Sequence, residues 1–161
     1  MILVAGGTGF VGTKVVHALR AAELPVRVLA RKPEKQDQLR AWDCEIVQGD
    51  LTDPDSLRRA AAGCDTVVHL VAILLGSPEA FERIMVQGTR DLVEAAKGAG
   101  VKRVVLMSAL GTEEGHEVTP YFRSKWEEEQ AVKYSGLEHV IFRPSFVFGS
   151  DGGILAQQIR I

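Results

Sequence analysis

Two sets of residues in this 161-residue sequence have types and spacings that could do chemistry. The first is Gly6, Gly9 and Gly12, spaced by three directly behind the apolar run Ile2–Ala5. A glycine at the first place admits the φ values of a tight turn. The second leaves no Cβ between backbone and a pyrophosphate, and the third lets a following helix pack close to the strand. The N-terminus of that helix aims free N–H groups and a positive dipole end at phosphates. The second set is Ser108, Tyr121 and Lys125. Tyr121 and Lys125 are four residues apart, hence one turn apart on a shared helix face. Ser108 lies 13 residues before Tyr121, just past an apolar run. The competing readings are a βα turn without a ligand and an amphipathic helix with a packed tyrosine and a solvated lysine.

These residues need elements to hold them, and hydrophobic periodicity supplies the order. Val11, Val15, Ala18, Leu19 and Ala22 recur on one helix face behind the glycines. Short apolar runs predict strands at Ile2–Ala5, Val26–Ala30, 45–47, 66–72, Arg103–Met107 and 139–142. A short surface helix is expected over 33–42. Asp53 with Pro54, and Ser77 with Pro78, read as helix caps followed by proline in the first turn. Leu57, Ala60 and Ala61 follow the first cap. Phe81, Met85, Leu92, Val93 and Ala96 follow the second, in a long helix ending near Gly98–Gly100. Another helix is expected over 120–134. This alternation predicts one α/β domain, a doubly wound parallel sheet of Rossmann type in three layers. Residues 149–153 read as a loop and 154–161 as the start of a helix-like run.

At the end of the second strand stand Arg31 and Lys32, 19 residues beyond Gly12. In a dinucleotide fold this place faces the adenine ribose, where an acid accepts from the 2′-hydroxyl and an arginine accommodates a 2′-phosphate. No Asp or Glu lies between Pro25 and Pro33. The expectation is NADP(H) with Arg31 first and Lys32 second, the competing readings being NAD(H) and a solvated cationic loop.

A net charge of −2 argues against a nucleic-acid surface, which needs clustered cations. Cys44 and Cys64 form no C-x-x-C pair and have no histidines at ligand spacing, so reduced, buried thiols and no metal site are expected. The chain enters a strand directly after Met1, and its longest apolar run, residues 67–75, contains His69 and is too short for a membrane span. A cytoplasmic protein is expected.

The glycine turn, Ser108 and the Tyr121-x-x-x-Lys125 pair together resemble the short-chain dehydrogenases/reductases. The opening Gly-Gly-Thr-Gly-Phe-Val-Gly at residues 6–12 and Arg143-Pro144-Ser145 with Phe148-Gly149 are most similar to the atypical, epimerase/dehydratase-like members. A further look-alike is the fold-sharing accessory subunit of mitochondrial respiratory complex I. The resemblance implies a tyrosine whose pKa is lowered by the lysine and the nicotinamide, so that Tyr121 trades a proton with a substrate oxygen. It implies that Lys125 also holds the nicotinamide ribose and that Ser108 polarises the substrate oxygen. It places Thr8, Phe10 and Val11 with the glycines, Asp50-Leu51 beside the adenine, and Leu70-Val71-Ala72 after His69 along the cofactor. Pro144 and Ser145 then fall at the nicotinamide, and Gln87-Gly88-Thr89 on a supporting helix. It also implies a further C-terminal part of more than a hundred residues, carrying most substrate contacts. Two readings stand: an NADP(H)-dependent oxidoreductase or epimerase, and a non-catalytic NADP(H)-holding subunit that docks on a membrane-associated partner. A homodimer through the long helices after the fourth and fifth strands would fit the family.

Overall fold

The computed structural model describes residues 1–149 and 152–153. The helix-like run expected over 154–161 lies outside the described residues. Six strands, β1 (Ile2–Ala5), β2 (Val26–Ala30), β3 (Glu45–Gln48), β4 (Thr66–His69), β5 (Arg103–Met107) and β6 (Glu138–Phe142), form one sheet in the order β3-β2-β1-β4-β5-β6. Every pairing in it is parallel. Ala5 is in register with both Leu29 and His69, so β1, β2 and β4 end at one level. The chain reverses direction across the sheet between β1 and β4, which opens a crevice at their carboxyl ends.

The side chains of each strand alternate between two cores, as a pleated strand requires. Leu3, Ala5, Val67, Val104 and Leu106 face one core with Leu57 and Ala60 of α3 (Pro54–Ala61). Leu92, Val93 and Ala96 of α5 (Gly88–Gly98) and Val132 of α7 (Pro120–Lys133) close it. Val4, Val26, Val28 and Val68 face the other core, with Val16 of α1 (Phe10–Ala21) and Leu39 of α2 (Asp37–Ala41). The helices thus lie on both faces of the sheet. On the α1 face, however, Val140 and Phe142 of β6 stay 42% and 59% exposed, because no described helix covers that corner.

Asp53 caps α3 by accepting from the N–H groups of Asp55 and Ser56 at 3.1 and 3.2 Å. Thr119 caps α7 by accepting from the Phe122 N–H. Three expectations are corrected. The expected surface helix over 33–42 divides into a 3-10 turn, Pro33–Lys35, and α2, and Leu39 is fully buried. The fourth strand ends at His69, not residue 72, because Leu70 to Ala72 leave the ladder to run beside the glycine turn. The long helix after Ser77 is in fact α4 (Pro78–Phe81), a π-helical stretch Glu82–Gln87, and α5. Two small elements carried no periodic signal: α6 (Thr112–Gly115), and a two-residue hairpin of β7 (Phe148–Gly149) and β8 (Gly152–Gly153) in the expected loop. Among the described residues no helix is long and apolar enough to cross a membrane.

Candidate cofactor cleft

The crevice begins at the glycine turn. Gly6 has φ +89°, and a Cβ there would stand 2.9 Å from the Leu70 carbonyl carbon and the Val71 nitrogen. Only glycine lets the end of β4 come this close. The Leu70 N–H donates to the Ala5 carbonyl at 2.9 Å, locking the two strand ends together. A Cβ at Gly12 would strike the Gly6 carbonyl oxygen, so this glycine seats α1 on the turn backbone itself and not, as expected, on the strand. Gly7, which the sequence reading passed over, fits between Val28, Val16 and Val4. Gly9 caps α1 without any side-chain hydrogen bond. Its N–H donates to the Gly6 carbonyl at 3.1 Å, and a Cβ there would meet only that oxygen, at 3.4 Å. The first-turn N–H groups of α1 therefore face an open space bounded by backbone, the cradle a pyrophosphate needs.

Two stretches run from this turn. One, about 340 Å³, extends to the ends of β2 and β3 and is lined by Thr8, Arg31, Asp50, Leu51 and Val71. The other, about 560 Å³, extends to the ends of β5 and β6 and is lined by Phe10, Val11, Gly12, Ser108, Tyr121, Pro144 and Ser145. Gly6, Gly9, Leu70 and Ala72 border both, so they form one continuous cleft across the switch point. Residues the sequence did not single out also line it. Arg83 and Ile84 come from the π-helical stretch and Met107 from the end of β5, while Leu110, Phe122, Phe146 and Val147 come from the loops after β5 and β6 and the start of α7. Met107 was findable as the last residue of a strand. The π-turn, which aims Arg83 at the cleft, has no sequence signature.

Two expected cofactor residues line neither stretch. Lys32 is exposed, at the entry to the 3-10 turn. Lys125 is 1% exposed: its Nζ donates to the Met107 carbonyl at 2.9 Å and pairs with Glu128 Oε2 at 2.9 Å. Glu128 is wholly buried, and its Oε1 accepts from Thr89 Oγ1 at 3.2 Å, which in turn lies 2.8 Å from His69 Nε2. Thr89 thus joins strand β4 to helix α7 beneath the cleft. Burial raises the Glu128 pKa to about 7 against the opposing pull of Lys125. Burial, then the Lys125 charge, lowers His69 to about 3, so its imidazole is neutral. The lowered tyrosine pKa implied by the resemblance is not found. Burial, then the nearby Glu128, push Tyr121 upward, and its phenol is a proton donor at neutral pH.

Ser108 is 3% exposed, with its Oγ 3.2 Å from Thr112 Oγ1. Thr112 donates its own proton to the Ala109 carbonyl at 2.7 Å. Arg143 grips Glu129 with two bonds of 2.9 and 2.7 Å and reaches Glu113 at 3.1 Å, fixing the turn that carries Pro144 and Ser145. Burial raises the Glu129 pKa, but hydrogen bonds from Arg143, Ser108 and Lys133 outweigh it and hold the carboxyl down at about 2.

Comparison with known proteins agrees with this geometry. A family described as NAD(P)H-binding matches residues 6–157. An NAD(P)H azoreductase of Xenophilus azovorans is 35% identical over 162 residues, covering 99% of this chain and 52% of its own length. The photosystem II assembly factor Ycf39 of Cyanophora paradoxa is 30% identical over 142 residues, covering 88% of this chain and 44% of its own. A short-chain dehydrogenase/reductase superfamily protein of Agrobacterium tumefaciens, solved with bound NAD, superimposes with a TM-score of 0.76 at 32% identity, covering 89% of this chain and 48% of that one. The chain spans about half the length of the curated relatives it matches. With a 3-2-1-4-5-6 sheet, a glycine turn at its switch point and a match from residue 6 to 157, the chain belongs to the NAD(P)H-binding, atypical short-chain dehydrogenase/reductase family.

Proposed function

We propose that this chain is the cofactor-binding part of an NADPH-dependent reductase acting on an uncharged acceptor. The observation that carries the reading is the unbroken cleft from Arg31, over the glycine turn, to Ser108 and Tyr121. When bound, the nicotinamide supplies a hydride. The residues of the chain do the rest. The α1 N-terminus and the Gly6–Gly9 turn hold the pyrophosphate, and Arg31 meets the 2′-phosphate. Tyr121, a protonated phenol, gives its proton to the acceptor atom that becomes electron-rich as the hydride arrives. Among the described residues, no charged side chain lines the stretch around Ser108 and Tyr121, which favours an acceptor without charge. Lys125 and Glu128 support the floor of the site and keep one another compensated.

The test is NADPH oxidation by the complete protein with a panel of quinone, azo and carbonyl acceptors, comparing wild type with Tyr121→Phe. Loss of turnover by about 10²-fold or more, with NADPH binding intact, supports the phenol as general acid. Unchanged turnover removes Tyr121 from the chemistry.

A second reading has its own observation. The donors of Ser108 and Lys125 are engaged inside the fold, and a 30% identical relative is an assembly factor. A non-catalytic nucleotide-holding protein binds NADPH tightly and oxidises it with none of these acceptors.

A further inference from the structure

Beside the adenine end of the cleft lies a second depression of about 440 Å³. It shares Arg31, Gly49 and Asp50 with the cleft and adds Asp53 and Arg59. Arg59 projects from the exposed side of α3, whose Ser56, Leu57, Ala60 and Ala61 are buried. Its natural partner one turn back is Asp55, but that carboxylate is bonded to Arg58. Among the described residues neither Arg31 nor Arg59 has a hydrogen-bond or ion-pair partner. The neighbouring arginines differ: Arg27 pairs with Glu45, Arg40 with Asp37 and Arg58 with Asp55.

Two carboxylates also line the depression, and both are engaged with their own turns. Asp50 Oδ1 accepts from the Thr52 N–H at 2.9 Å and its hydroxyl at 2.8 Å. Asp53 Oδ1 accepts from two N–H groups at the start of α3. Neither carboxylate is bonded to an arginine, so both guanidiniums keep their full set of donors. Two unpaired guanidiniums on one concave surface, next to an adenosine site, form a receptor for a dianion, because each matches two phosphate oxygens at once.

We propose that Arg59 is a second specificity-determining cation, which holds the adenosine 2′-phosphate together with Arg31 and takes the place expected of Lys32. This rests on the reading of the cleft as an NADPH site, and it adds a residue from the helix after β3 rather than from the strand end.

The experiment measures Kd for NADPH and for NADH on the complete protein by nicotinamide fluorescence. It compares wild type, Arg31→Gln, Arg59→Gln and Arg58→Gln, with 2′,5′-ADP and 5′-AMP as competing probes. The expected result is a loss of about tenfold in NADPH and 2′,5′-ADP affinity for Arg59→Gln. NADH and 5′-AMP binding stay at the wild-type level, which also shows that the variant is folded. Arg58→Gln, whose partner is Asp55, changes neither. An NADPH-to-NADH ratio untouched in Arg59→Gln but lowered in Arg31→Gln overturns the role of Arg59 and leaves the NADPH reading standing. Equal wild-type binding of NADPH and NADH overturns both.

Discussion

At the scale of single residues, the buried set under the cleft is the most consequential. Lys125 and Glu128 are both removed from water and lie 2.9 Å apart, so the ionised carboxylate of Glu128 is compensated by the ammonium beside it. The folded-state pKa of Glu128, about 7, lies above its unfolded value near 4.5. Its protonated form therefore favours folding, and its contribution falls as pH rises from about 4.5 to 7. Removing the ammonium takes away the influence that holds this pKa down, so the fall continues to higher pH. Lys125→Met is accordingly expected to cost about 3 kcal/mol at pH 8 and clearly less at pH 6, where Glu128 remains protonated. Urea unfolding at the two pH values checks this, and an equal cost at both would contradict the coupling. His69 gives the opposite limb. Its lowered pKa means that stability is present above pH 6.5 and is lost as pH falls towards 3. His69→Gln is expected to flatten that acid limb in the same urea series.

At the scale of elements, glycines that look alike in the sequence separate into distinct roles. Gly12 sits where a side chain would collide with the Gly6 carbonyl, whereas Gly98, inside α5, has nothing within 4 Å of a Cβ. Gly12→Ala is expected to destabilise by more than about 2 kcal/mol and to abolish nucleotide binding, since α1 must shift off the turn that it caps. Gly98→Ala is expected to be neutral or to stabilise by up to about 1 kcal/mol, through the ordinary helix preference for alanine. Thermal unfolding of the pair distinguishes steric need from mere composition. The cap on α3 belongs here as well. Asp53→Ala leaves two N–H groups unsatisfied and is expected to cost about 1 kcal/mol. It also loosens the helix on which Arg59 stands.

At the scale of the whole molecule, the cleft joins the ends of all six strands of the sheet, so ligand binding and folding are coupled across it. A ligand that binds only the folded state at a hundred times its Kd adds about 2.7 kcal/mol to stability. NADPH is expected to raise the melting temperature of the complete protein, and the rise is expected to shrink in Arg31→Gln. A melting temperature unmoved by NADPH at any concentration would remove the cofactor site from this cleft.

The order of the six sheet strands and of α1, α3, α5 and α7 was legible in the sequence because each of these strands is an apolar run bounded by turn residues, and each of these helices carries a cap or a period of 3.6. Ser77-Pro78 and Asp53-Pro54 announced their helices through local hydrogen bonds alone. The glycine turn was legible for the same reason: φ at Gly6 and close approach at Gly12 are backbone demands that few other residues meet. Side-chain direction was not. Tyr121 and Lys125 share a helix face by spacing, yet Tyr121 lines the cleft while Lys125 passes beneath it to Glu128 and the Met107 carbonyl. Which of Lys32 and Arg59 shares the depression with Arg31 was equally hidden, because Arg59 arrives from α3, 28 residues downstream. Sequence by itself determined the main strands and helices and their order, since propensity, capping and periodicity act over a few residues. The tertiary structure alone decided burial, ion pairing and pKa, since these depend on groups brought together from β4, α5 and α7.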